Sequence, residues 1–206
     1  MMKYAISLLA AAAFAVSAQA SPITTPPPGI YGMGTDVTAV FVFYEAWHTD
    51  TLTLSTSPGD TIFCNHSYGS CTGAKPGDVA DLGKLSGALN FVLKDITTGK
   101  TYDTIHADSY GDYHVKLSTN YADFNQGALP SGVGAILAGL DNVTFIGFED
   151  LDKSSNRADW DYNDLIFAFS NTSPNSNTGV PEPLSLSLLG AGLLGLTALR
   201  ARRKKS

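Results

Sequence analysis

A chain of 206 residues, 44% hydrophobic and 16% charged, is long enough for one domain with a packed core, and it is acidic, with a net charge of −6. The basic residues crowd the C-terminus: between Ser21 and Gly179, seven Lys and Arg stand against eighteen Asp and Glu, a balance of −11. Such a surface repels nucleic acid and anionic lipid, and it suits divalent cations or solubility outside the cell.

Lys3 is the only charge ahead of the apolar run Ala5 to Val16, and Ser17-Ala18-Gln19-Ala20 follows it. This is the form of a secretory signal peptide over residues 1–20, with signal peptidase cutting before Ser21 at the small-x-small site. The alternative, an N-terminal membrane anchor, suffers from an apolar core too short to span comfortably. Residues 21–36, rich in Pro and Gly, read as a lead-in linker.

Val37 to Tyr44 is dense in β-branched and aromatic residues, as a buried strand is, and Asp50 to Ser55 alternates as a half-exposed strand does. Glu45 to Thr49 is short enough to join them as a hairpin. Thr61 to Phe63 then leads into a polar loop bounded by Cys64 and Cys71, the only two cysteines. In an oxidising compartment they are expected to form a disulfide; a zinc site with His66 is the alternative, and it lacks a fourth ligand.

Ser70 to Lys84 reads as irregular, Gly87 to Ile96 as an alternating strand, and Thr97 to Lys100 as the turn of the clearest hairpin, with Thr101 to Ile105 returning. After the polar turn Asp108 to Asp112 comes the alternating segment Tyr113 to Leu117, then a Gly- and Ala-rich stretch from Gln126 to Gly139. Val143 to Phe148 and Leu165 to Phe169 are two further apolar strands. About eight short strands with no convincing amphipathic helix between them predict an all-β fold, an antiparallel β-sandwich of jelly-roll type over 37–170, followed by a polar linker at 171–179.

The C-terminus has three parts: Val180-Pro181-Glu182-Pro183, an apolar run over 184–199, and a tail holding Arg200, Arg202, Arg203, Lys204 and Lys205. Sixteen helical residues reach roughly 24 Å, slightly short of a hydrocarbon core of about 30 Å, so this helix spans a membrane marginally, with its cations on the cytoplasmic side. An ordinary C-terminal anchor would have the same topology. The three-part pattern closely resembles the PEP-CTERM sorting signal, with Pro181, Glu182 and Pro183 as the sorting motif. The resemblance implies a Gram-negative bacterium, processing by the membrane transpeptidase exosortase, and a destination at the cell surface or in the extracellular matrix of a biofilm.

The chemistry is concentrated between the last two strands, where Glu149, Asp150, Asp152, Asp159, Asp161 and Asp164 lie within sixteen residues with only Lys153 and Arg157 as nearby cations. Carboxylates so crowded repel one another unless a cation sits among them. Asp159, Asp161 and Asn163 recur at i, i+2 and i+4, sharing one face if extended and converging if looped; the flanking helices and sixth-position Gly of an EF-hand are missing. Calcium suits a set of flexible oxygen donors better than magnesium, and the expected ligands are Glu149, Asp150, Asp159, Asp161, Asn163 and Asp164, with Asp152 a weaker candidate. The competing reading is a solvated loop with Asn163 and Asp164 capping a turn.

Gly147-Phe148-Glu149-Asp150-Leu151 followed by Asp159-x-Asp161-Tyr162-Asn163-Asp164 and an apolar strand resembles the C-terminal signature of the family called domain of unknown function 4114. The resemblance implies a secreted or surface protein, a cation site at this place and no established enzymatic activity. Lys153 and Arg157 sit in the intervening loop, where either could pair with a carboxylate and partly replace the metal.

A glycoside hydrolase using Glu149 as acid with Asp161 as its partner is a competing reading, although six crowded acids suit a metal better than an acid/base pair. His48, His66, His106 and His114 are scattered and form no catalytic motif; His114 on an alternating strand reads as a structural residue. Trp47 and Trp160, with Tyr44, Tyr110 and Tyr162, offer a sugar-stacking surface or, more blandly, core. The reading as a whole is a non-enzymatic, calcium-stabilised matrix protein, with a calcium-dependent carbohydrate-binding module as its competitor and extracellular polysaccharide as a partner.

Overall fold

Two long apolar segments without alternation, Val37 to Tyr44 and Thr144 to Phe148, require strands covered on both faces, and the structure places them in such a setting. A computed structural model describes residues 20–175. The expected sorting segment, and the expected signal peptide apart from Ala20, lie outside them. Within the described residues ten strands form two antiparallel sheets.

The larger sheet runs in the order β10 (Thr172–Asn175), β1 (Gly29–Tyr44), β9 (Leu165–Phe169), β8 (Thr144–Phe148) and β7 (Val115–Ser118), with β4 (Val79–Leu89) also paired to β1. The smaller runs β3 (Ser57–Cys64), β2 (Asp50–Leu54), β5 (Phe91–Asp95) and β6 (Thr101–Asp103). Alternate residues of β1 and β9 explain the unbroken apolar runs. Phe41, Phe167 and Phe169 point into a core shared with the smaller sheet, where Phe63 stacks on Phe167 and Phe91 stacks on Phe169 with ring centroids 4.0 Å apart. Val40, Val42, Ile166 and Ala168 face the other way, into a second core closed by Tyr121, Phe124, Val133, Trp160 and Tyr162.

This second core accounts for a segment without strand character. Residues 121–124 form a 3-10 turn and Val133–Leu137 a single short helix, α1, whose apolar residues roof the outer face of the larger sheet. Among the described residues no helix is long and apolar enough to cross a membrane.

Several boundaries differ from expectation because tertiary pairing extends or splits the local pattern. Strand β1 starts at Gly29, inside the expected lead-in, since β10 and β4 both pair with its first residues, and β10 itself lies in the expected polar linker. The segment read as irregular contains the start of β4, whose exposed side chains gave no apolar pattern. Strand β2 is largely buried where half exposure was expected. The expected strand from Gly87 to Ile96 is two strands in different sheets, parted at Asn90, whose side chain accepts hydrogen bonds from the Thr104 backbone and hydroxyl. Glu45 to Thr49 is a crossover between sheets rather than a hairpin, because β1 and β2 do not pair. The hairpin between β5 and β6 is as expected.

Cys64 and Cys71 form a disulfide, which removes the zinc alternative with His66. Closing so short a loop contributes about 2–3 kcal/mol by restricting the unfolded chain.

Candidate metal centre

Antiparallel pairing of β8 with β9, in which Phe148 faces Leu165, brings Glu149 and Asp150 to the same end of the sheet as Asp164. The chain between them returns through a loop with two left-handed residues, Trp160 at φ 60° and Tyr162 at φ 62°. Bulky side chains rarely adopt this conformation, at about 1–3 kcal/mol each, and here burial enforces it. Trp160 and Tyr162 are both in the second core, and the Tyr162 hydroxyl accepts from the Ile23 N–H at 2.7 Å and donates to the Tyr113 carbonyl. With these two rings buried, Asp159 and Asp161 turn towards Glu149.

Carboxylate oxygens of Glu149, Asp159 and Asp161 lie within 4.8 Å of one another, and those of Glu149, Asp150 and Asp164 do so as well. The two triads share Glu149. Five of the six expected ligands are thus brought together, in the looped form, and these groups can hold a metal ion. Asn163 stands beside them and donates both its backbone N–H and its side-chain amide to Asp161, so it orients that carboxylate. Asp152 lies apart from both triads. Burial works against its charge, but hydrogen bonds from Lys100, at 2.6 Å, and from Ser154 outweigh this and hold its carboxyl below the ordinary value.

The hydrogen bonds around the triads fix them from beneath. The Glu149 carboxylate accepts the Trp160 N–H at 2.9 Å, and Asp164 accepts the Asp150 N–H at 2.9 Å. Behind Glu149, buried His114 lies with Nδ1 3.0 Å from the Glu149 carbonyl and Nε2 3.2 Å from Asp108, stacked on Tyr102 at 3.8 Å. Held at both ring nitrogens, His114 braces the backbone that carries Glu149.

No Lys or Arg among the described residues forms an ion pair with any of the five carboxylates. Lys153 pairs instead with Asp112 at 3.0 Å and lies over the Tyr110 ring, so it does not replace a metal. Arg157 lines the cavity above the cluster without an ion pair to it. Burial first, and then the neighbouring carboxylates, raise the carboxyls of Glu149 and Asp164 well above their ordinary range. Asp150 is raised by burial and by Asp95 and Asp159, while Asp161 is pushed up to about 6 by burial and Asp159. Repulsion of this kind is what a bound cation removes.

Two acidic residues outside the expected set join the same end of the fold. Asp50 opens β2 and Asp95 closes β5, directly opposite in register and both fully buried. Asp95 is engaged by the backbone N–H groups of Thr97 and Thr98, the Thr98 hydroxyl and His48. Each sits in an ordinary strand sequence, and nothing in the local pattern marks it.

Above the cluster a cavity opens, lined by Glu45, Trp47, Lys100, Arg157, Asp159 and Asp161 among others. Trp47 is 92% exposed on the crossover loop. The expected aromatic surface is therefore smaller than the sequence suggested, because Trp160 and Tyr162 are core residues.

No protein-family model, curated protein or solved structure matches the chain.

Proposed function

We propose that this chain is an exported, surface-sorted, non-enzymatic β-sandwich protein of jelly-roll type, with a structural or adhesive role in an extracellular polysaccharide or biofilm matrix, held together by calcium. The observation that carries the reading is the convergence of Glu149, Asp150, Asp159, Asp161 and Asp164 without a Lys or Arg partner. Calcium fits because the donors are all oxygens, unevenly spaced and partly solvent-facing, and because it accepts six to eight such ligands without strict geometry. Export and sorting rest on the signal peptide, on Pro181-Glu182-Pro183 and on the basic tail, with signal peptidase and exosortase as processing partners. The disulfide agrees with an oxidising compartment outside the Gram-negative inner membrane.

Glu149 is a cation ligand in this reading rather than a catalytic acid. It is 1% exposed with one carboxylate oxygen bound to the Trp160 N–H, too deep to reach a glycosidic oxygen. Isothermal titration with calcium is expected to give saturable binding that weakens at least tenfold in Asp161→Asn. Absence of binding by the unsubstituted protein at millimolar calcium would sink the reading.

A second reading, calcium-dependent carbohydrate binding, is favoured by Trp47 alone. A tryptophan so exposed at the rim of a cavity with an acidic floor offers a ring face to a sugar whose hydroxyls approach the cation. Retention on the producing organism's own polysaccharide should then need calcium and drop at least tenfold in Trp47→Ala. Equal retention of the variant leaves the structural role.

A further inference from the structure

The outer face of the smaller sheet carries a second concavity, built from residues that the carboxylate cluster does not use. In β2 and β5 the core takes Leu52, Leu54, Phe91 and Leu93, so alternation turns Thr51, Thr53 and Lys94 outwards. Leu52 pairs with Phe63 but Thr53 with Thr61, which makes Ile62 the extra residue of a bulge. Ile62 and Phe63 both pack on the core, and Thr61 is left outside beside Thr53. Thr101 of β6, next to buried Tyr102 and opposite Lys94, completes the floor.

One wall is the disulfide loop. Tyr68 and Cys71 exchange both backbone hydrogen bonds, at 3.0 and 2.9 Å, and the Cys64–Cys71 bond closes the loop. Tyr68 is thereby held at the groove with 51% of its surface exposed. The groove has a volume of about 490 Å3, within the range of roughly 300–1,000 Å3 usual for ligand pockets.

The polar groups of this groove are unused. The hydroxyls of Thr51, Thr53, Thr61 and Thr101 and the Lys94 ammonium make no hydrogen bond or ion pair with any described residue. Thr51 is only 7% exposed, and a hydroxyl so buried is satisfied only by what enters the groove. No Asp or Glu among the described residues lines it, although the segment from Ser21 to Gly179 carries −11. A cationic ligand finds no carboxylate there, and a polyanion meets one Lys against the field of an acidic domain. A neutral polyol fits both facts: its hydroxyls exchange hydrogen bonds with the threonines and Lys94, and its C–H face packs on the Tyr68 ring.

We infer that this groove binds a segment of neutral polysaccharide, and that it does so without metal, since no residue lines both this groove and the cavity above the carboxylates. The site goes beyond the cation reading and does not depend on it. By fixing Tyr68 in advance, the disulfide loop lowers the ordering cost of binding.

Isothermal titration of the purified full chain in chelator, with neutral hexasaccharides of glucose, galactose and mannose and with hexagalacturonate as the charged control, tests it. At least one neutral hexasaccharide is expected to bind saturably, with its dissociation constant raised about tenfold by Tyr68→Ala, about threefold by Thr53→Val and not at all by Trp47→Ala. Thr53→Val removes the hydroxyl at nearly constant shape, so it carries the test if Tyr68→Ala does not fold. No binding of any neutral hexasaccharide, tighter binding of hexagalacturonate, or binding unchanged in both Tyr68→Ala and Thr53→Val overturns the inference. Binding that appears only when calcium is returned, or that is lost in Trp47→Ala, belongs to the cavity above the carboxylates and overturns it as well. Calcium titration without sugar judges the cation reading separately.

Discussion

Stripping divalent cations at pH 8 is expected to lower the melting temperature by roughly 8–16 °C, since a ligand present at about a thousand times its dissociation constant contributes about 4 kcal/mol and each kcal/mol moves a domain of this size about 2–4 °C. The pH dependence of the stripped protein gives a second, sharper signature. Burial and then the surrounding carboxylates push Asp50 up to about 9, and burial with Asp159 pushes Asp161 up to about 6. Glu149, Asp150 and Asp164 are raised as well, in each case chiefly by burial.

A raised carboxyl means that the folded state keeps a proton which the unfolded chain has released above about pH 4. Stability without metal should therefore be greatest near the unfolded carboxyl range and be lost progressively as pH rises through about 6 to 9. Added calcium replaces those protons, so its stabilisation should be small at pH 5 and large at pH 8. Thermal melts at the two pH values, with calcium and with chelator, make the comparison. A stripped protein as stable at pH 8 as at pH 5 would mean that these carboxylates are not held together in the folded state.

Alanine at Gly147 should destabilise the protein by about 3 kcal/mol or more, at the upper end of what overpacking a core causes. A Cβ there would lie 2.1 Å from the Tyr162 carbonyl oxygen and 2.6 Å from the Phe124 ring. The ring could shift, but the carbonyl belongs to the strained turn that sets Asp161 and Asn163. Relief of the clash must push that turn away from β8, so calcium affinity should fall together with stability. Urea unfolding in calcium, at unchanged slope, measures the first effect and titration the second. A loss below about 1 kcal/mol would show that the turn does not press on β8 as the structure has it.

Gly147 illustrates how the sequence is legible at this site and where it stops. The run from Gly147 to Asp150 and the spacing of Asp159, Asp161 and Asn163 mark the acidic loop, because charge crowding is visible in one dimension. That β8 and β9 pair, bringing the two halves of the loop together, is also legible from two apolar strands flanking it. The role of Trp160 and Tyr162 is not. Two aromatics in an acidic loop look exposed until the second core beneath them is known, and their left-handed backbone is a consequence of that core. Strand β4 and the early start of β1 were hidden for a related reason: their exposed residues satisfy backbone partners that lie far away in the chain.

Local pattern, then, was enough for the all-β class, the disulfide, the β5–β6 hairpin and the place of the acidic cluster, since each depends on residues close in sequence or on composition. Asp50 needed the fold. It stands some hundred residues before Asp150 and in a different sheet, and nothing in the segment Asp50 to Leu54 distinguishes it from the first residue of any strand. Its burial and its unpartnered oxygen arise only when the crossover at Glu45 to Thr49 carries the chain from one sheet to the other. Charge repulsion between distant segments is a property of how the sheets meet, and that is set by packing of the shared core rather than by any spacing along the chain.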